Sequence, residues 1–151
     1  MSVVRLVRLR VPAGAAKPGP AIGQALGPLG INMVEFCKKF NDATQHVTPN
    51  TPTPVVLSAM SDRTFTFEIK SPPTTWLLKR CAGIEKGVSR PGHESEGRVG
   101  LKTIYEIASI KKKDDHLWHL PLEGLCRSVI ATANSMGVTV YDDRQNKPAA
   151  A

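Results

Sequence analysis

His116 and His119 stand three residues apart with Asp114 and Asp115 beside them, a spacing that could bring metal ligands onto one helical turn. No H-E-x-x-H run accompanies them, and a polar connector with water-facing histidines has the same composition. His46 and His93 stand alone in loop-like surroundings and read as solvated. Cys37, Cys81 and Cys126 are odd in number and widely spaced, which suits reduced thiols in a non-secretory compartment, each packed on an apolar helix face. Zinc would need a fourth ligand and paired spacing. Gly19, Gly23, Gly27 and Gly30 neither form G-x-G-x-x-G nor lead to G-K-[ST], so a phosphate cradle is not encoded. The sequence therefore reads as a non-enzyme that needs no cofactor or metal.

Its cations carry a better case. The 151 residues hold 20 Lys and Arg against 13 Asp and Glu, a net charge of +7, which is the profile of a protein with a polyanionic partner. No acid precedes Glu35, whereas Arg5, Arg8, Arg10 and Lys17 do. In the second half Lys79, Arg80, Lys86, Arg90, Arg98, Lys102, Lys111 to Lys113 and Arg127 gather around helical segments and a Gly-rich loop. Aromatics make up only 5%, so RNA contact would lean on charge and close backbone approach rather than on stacked rings. Arg127, Ser128, Ala131, Thr132, Asn134 and Ser135 offer a polar, mostly small-residue helix side that a nucleic acid can approach closely.

The elements that must position these groups divide the chain in two. Val3 to Val11 alternates apolar and basic residues as a half-buried strand with a basic outer face. The Gly/Pro-rich stretch from Pro18 to Gly30 reads as a loop of specific path. Asn32 stands as the N-cap of a helix carrying Met33, Phe36, Cys37 and Phe40. Asn41 to Pro54 reads as a loop, and Val55–Met60 and Thr64–Ile69 as a hairpin turning at Asp62-Arg63. Ser71-Pro72-Pro73 is a stiff boundary. Beyond it come three helices: one around Trp76 to Cys81 stopping at Gly83, one over Leu101 to Ile110 with Leu101, Ile104, Tyr105 and Ala108 on one side, and one from Leu122 to Met136 closed by Gly137. The Gly87 to Gly100 loop, with almost nothing to bury, is expected to be mobile until a partner orders it. Val138 to Val140 suggests a short closing strand. The expected fold class is α+β, with an N-terminal α/β domain over 1–70, a hinge at 71–73, a three-helix domain over 74–142 and a frayed tail at 143–151. No apolar run approaches the ~20 residues that cross a bilayer, and no membrane partner is expected.

Gly14, Ala16, Pro18, Pro20, Gly23, Ala25, Leu26, Gly27, Gly30 and Asn32, followed by Phe36-Cys37-Lys38-Lys39-Phe40-Asn41, resemble the signature of the ribosomal large-subunit protein eleven family. Asp62 to Phe67, Pro72-Pro73, Leu77-Leu78-Lys79, Ala82-Gly83-Ile84 and Arg127-Ser128 through Ser135-Met136-Gly137 match its later blocks in order, so the resemblance covers nearly the whole chain, roughly Val4 to Asp142. The chain departs from the pattern at Ala21, where the family has a second proline, and at Ala131 and Asn134, where it has Gly and Arg.

The resemblance implies a C-terminal domain that docks by shape on a folded large-subunit rRNA segment at the stalk base. By carry-over its RNA contacts are Ser71, Pro72, Pro73, Lys79, Lys86, Gly87, Ser89, Arg90, Arg127, Ala131, Thr132, Asn134 and Ser135. It also implies an N-terminal domain near the translation-factor site, with Pro18, Pro20, Ala21, Gly23, Gln24 and Gly27 as the factor and antibiotic loop. The implied neighbours are large-subunit protein ten, the stalk proteins and, transiently, elongation factors. Ala21 bears on family-typical binding of thiazole-peptide antibiotics. The acid-free, Arg-bearing start and the segment Asp114 to Pro121 favour a mitochondrial member in the matrix, with a bacterial or other organellar compartment as the alternative. The rival reading is a helix-turn-helix or homeodomain-like DNA reader, against which the last helix lacks the Arg, Asn and Gln set that reads base edges.

Overall fold

In the computed structural model, which describes residues 2–144, the chain forms two compact units that divide between Pro72 and Pro73.

The first unit is a three-stranded antiparallel sheet in the order β1-β2-β3, from Val3–Pro12 (β1), Pro52–Met60 (β2) and Phe65–Ile69 (β3). Val7, Leu9 and Val11 lie opposite Leu57, Val55 and Thr53, so one sheet face is apolar, while Arg8 and Arg10, opposite Val56 and Pro54, point the other way. Arg5 departs from the expected basic face: it follows the alternation of Val7, Leu9 and Val11 and lies opposite Ala59, on the side opposite Arg8 and Arg10. β2 begins at Pro52, within what reads as a loop. Prolines fit there because the Pro54 carbonyl accepts from Lys70 N–H (2.9 Å), so the ring nitrogen faces the end of β3 and not β1, and the β1–β2 ladder loses no bond.

Met33–Ala43 (α2) packs Phe36, Cys37 and Phe40 onto the sheet. Its start is the Asn32 cap, whose Oδ1 accepts from Val34 N–H at 3.0 Å. All four phenylalanines of the chain meet there: Phe36 lies 6.0 Å from Phe40 and Phe65 and 5.9 Å from Phe67, centroid to centroid.

The Gly/Pro stretch is not a loop throughout. Pro20–Leu26 is a helix (α1), continued by a 3₁₀ turn over Gly27–Leu29. Pro20 sits in the first turn, where a missing N–H costs nothing, and Ile22 and Leu26, four apart, supply the buried side. The glycines that argue against a helix are tolerated because this core contact outweighs their propensity, and Gly23 leaves room for Met33 of α2.

The second unit packs Thr74–Ala82 (α3), Leu101–Lys112 (α4) and Leu122–Ser135 (α5) around an aliphatic core of Leu78, Val99, Ile104, Ile107, Ala108, Leu125, Val129, Ala133 and Val138. The buried side of α4 is Ile104, Ile107 and Ala108; Leu101 and Tyr105, expected on the inner side, are 44% and 55% exposed. Arg98–Gly100 (β4) pairs in parallel with Thr139–Tyr141 (β5), so the supposed loop ends in a strand and buries Val99. Among the described residues no helix is long and apolar enough to cross a membrane. Of the expected tail, Asp143 is engaged: its carboxylate accepts from Lys102 N–H at 3.1 Å. Residues 145–151 lie outside the described part.

Candidate nucleic-acid interface

α5 ends in a Schellman motif: Val138 N–H donates to Ala133 C=O (2.9 Å) and Gly137 N–H to Asn134 C=O (3.1 Å), with Gly137 at φ +76°. That geometry turns the chain back along the Gly-rich loop. Val88 N–H donates to Met136 C=O (3.2 Å) and Glu96 N–H to Gly137 C=O (2.9 Å), while Gly87 lies so close to Met136 that a Cβ would sit 3.2 Å from its carbonyl oxygen. The loop backbone at Gly87 and Val88 is thereby brought against Met136, just past Asn134 and Ser135 in the chain, with Lys86, Ser89 and Arg90 as its sequence neighbours.

Arg127, Ala131, Asn134 and Ser135 recur at i, i+4, i+7 and i+8 and are all exposed, one stripe about 12 Å long at 1.5 Å per residue. Nothing on it is larger than asparagine except Arg127 at one end, so a partner can come close to the helix backbone. Thr132 is half-buried and spends its proton on Ser128 C=O (2.9 Å); Ser135 donates to Thr132 C=O (2.7 Å). Both hydroxyl oxygens are left to accept, as they would from a ribose 2′-hydroxyl. Arg127 forms an exposed ion pair with Glu123.

Lys86, Ser89 and Arg90 are exposed cationic or hydroxyl groups at the loop end of this stripe. A cleft of about 310 Å³ continues it, lined by Gly92, His93, Glu94, Ser95, Asn134, Gly137, Val138 and Thr139. Sequence reasoning set His93 aside as a solitary solvated residue and missed Ser95 and Thr139. The signal for them is indirect: the Gly137 stop predicts a reversal of the chain, but nothing in the spacing says which loop it meets. Lys79 sits in the last turn of α3, and Pro73 is the α3 N-cap with Ser71 and Pro72 just before it.

In the first unit Pro18, Pro20, Ala21, Gln24 and Gly27 are exposed and Gly23 is half-buried. The path into α1 is fixed by Asn41, whose Oδ1 accepts from Ala16 N–H (3.0 Å) and whose Nδ2 donates to Ala16 C=O (3.1 Å). Gly14 N–H donates to Thr44 Oγ1 at 3.0 Å.

The cysteines are not alike. Cys37 is buried, Cys126 half-buried and Cys81 exposed, so the expectation of three core thiols fails at Cys81. Among the described residues no three His, Cys, Asp or Glu side chains converge as metal ligands would. Asp115 and His116 fall in a 3₁₀ turn, Asp115–Leu117, rather than on an α-helical turn.

A sheet-and-helix unit followed by a three-helix unit with a small-residue, cation-flanked helix face defines a class of modular RNA-binding protein. The comparisons specify it. Residues 7–65 match the model described as ribosomal protein L11, N-terminal domain, and residues 70–140 the model described as ribosomal protein L11, RNA binding domain. The chain therefore belongs to the ribosomal protein L11 family. It is 49% identical over 135 residues to the large ribosomal subunit protein uL11m of Schizosaccharomyces pombe, an alignment spanning 89% of this chain and 94% of that relative.

Proposed function

We propose that the chain is a structural constituent of the large ribosomal subunit of mitochondria, held on the stalk-base segment of large-subunit rRNA by its C-terminal unit. The observation that carries the reading is the small-residue stripe of α5 running into the Gly137 turn, where the backbone of the Lys86 to Arg90 loop is bonded to Met136, a surface suited to shape recognition of folded RNA. The same surface counts against a DNA reader: between Arg127 and Ser135 only Arg127 and Asn134 could read base edges by bidentate pairs, too few for a recognition helix. The mitochondrial compartment is supported by the relative named uL11m and by the acid-free start of the sequence.

The N-terminal unit turns the exposed Pro18, Pro20, Ala21, Gln24 and Gly27 toward the translation-factor site, near large-subunit protein ten and the stalk proteins. Pro72-Pro73 is the hinge between that unit and the RNA-bound one. The chain organises RNA and permits motion; it catalyses nothing itself.

The test is binding of the full chain to the folded stalk-base rRNA segment and to a duplex DNA of equal length across a salt titration. RNA-selective binding that persists at moderate salt supports the reading. Equal binding to both with a steep salt slope overturns it in favour of unspecific counter-charge.

A further inference from the structure

Trp118 is 75% exposed, the most exposed large apolar side chain of the described residues, and Leu120 beside it is 36% exposed. The ring is not on a loose tether. Leu117 packs against the core of the second unit, its N–H donates to Asp114 C=O at 2.9 Å, and Leu120 N–H donates to Leu117 C=O at 3.1 Å. His119 lies T-shaped to the indole, with centroids 6.2 Å apart, and the ring stays largely open to solvent. The other tryptophan contrasts with it: Trp76 is half-buried, with the Arg80 guanidinium 5.3 Å from its ring centroid.

A rigidly mounted bare indole calls for a partner, and its neighbours indicate which kind. Lys112 and Lys113, at the end of α4, are exposed, and neither has an ion-pair partner among the described residues. Lys111, by contrast, lies 4.0 Å from Asp114. An exposed aromatic ring that follows two exposed lysines by five and six residues, at the end of α4, suits an unstacked base with its phosphates better than an apolar protein pocket, which would leave those charges without counterparts.

We infer that Trp118 stacks on an unpaired base of the bound rRNA segment while Lys112 and Lys113 contact the adjoining phosphates, a second RNA contact outside the α5 stripe. The inference rests on the RNA-binding reading above, and the experiment separates the two. In a full-length Trp76→Phe background Trp118 is the sole indole, and the stalk-base rRNA segment is titrated against it. Saturation is expected to quench its emission. Trp118→Ala is expected to bind about 5- to 150-fold more weakly, the range for one lost base–aromatic stack, and Trp118→Phe to keep most of the affinity. Replacing Lys112 and Lys113 by Ala should flatten the salt slope. Because Trp118 is exposed, its variants keep the fold, checked by circular dichroism. Unchanged emission overturns the inference, whether or not Trp118→Ala loses affinity, as does wild-type affinity in Trp118→Ala; the indole then faces a neighbouring protein. If the unsubstituted chain shows no RNA preference at all, it is the functional reading that fails.

Discussion

Arg127 is the one long cation on the α5 stripe, and in the free protein its guanidinium is engaged by Glu123 one turn back. Both side chains are highly exposed, so the pair adds little to stability, but it competes with phosphate for the same donors. Arg127→Ala should therefore weaken RNA binding and lower the salt slope by about one, uniformly across RNA sequences. Glu123→Gln should act in the opposite sense, tightening binding most at low salt, as a filter-binding titration would read. At Ala131 the methyl group stands where the family has glycine, and Ala131→Gly should bind slightly tighter at a cost of about 1 kcal/mol in helix stability. Thiol chemistry sorts the cysteines. Burial, together with the nearby Glu106 carboxylate, pushes the Cys81 thiol above its ordinary pKa, with Arg80 pulling the other way. Cys81 should be the first to alkylate because it is exposed, yet slowly at neutral pH and faster as pH rises and thiolate forms. Cys37, buried and also pushed up by burial, should react only on unfolding. Mass spectrometry of iodoacetamide-treated protein tests both.

The elements stand or fall on their ends. Gly137 holds φ +76°, and a Cβ there would run into Val88 Cγ2 and lie 3.1 Å from Glu94 C=O. Gly137→Ala should cost about 2 to 4 kcal/mol, backbone strain plus overpacking, and adding Val88→Ala should recover the packing part only. Urea unfolding of the single and double variants measures this. The same elements show where the sequence was legible. α2 and α5 carry an apolar stripe and an explicit end signal, Asn32 in one and Gly137 in the other, so local chemistry and tertiary burial agree. α1 was not legible because its glycines and prolines speak against a helix; Ile22 and Leu26 carry the only contrary signal, and two residues do not make a period. β4 was hidden for another reason: three residues pairing with a strand about 40 positions away leave no local trace. The interface divides likewise. The α5 stripe follows from helical spacing, whereas the docking of the loop at Val88 on Met136 is set by a hydrogen bond between backbone atoms, to which side-chain identity is nearly blind.

At the scale of the whole molecule, two units carry separate cores of different character, one built on four phenylalanines and one on aliphatic side chains. Each should unfold as its own cooperative transition in calorimetry, and a fragment beginning at Ser71 should keep RNA affinity within a few-fold of the full chain. A single transition would show that the units are coupled. The bond from Asp143 to Lys102 N–H spans 41 positions, and Gly100 admits that carboxylate so closely that a Cβ would lie 2.5 Å from it. The first turn of α4, together with the β4–β5 pairing just before it, is thus completed by residues made about 40 positions later. During synthesis from the N-terminus the sheet unit has all its strands by Ile69, but the RNA-binding unit must wait for its own closing segment. A nascent chain stalled before Thr139 would expose a folded front half and an unfinished RNA surface, so the grip on RNA waits for that closing segment.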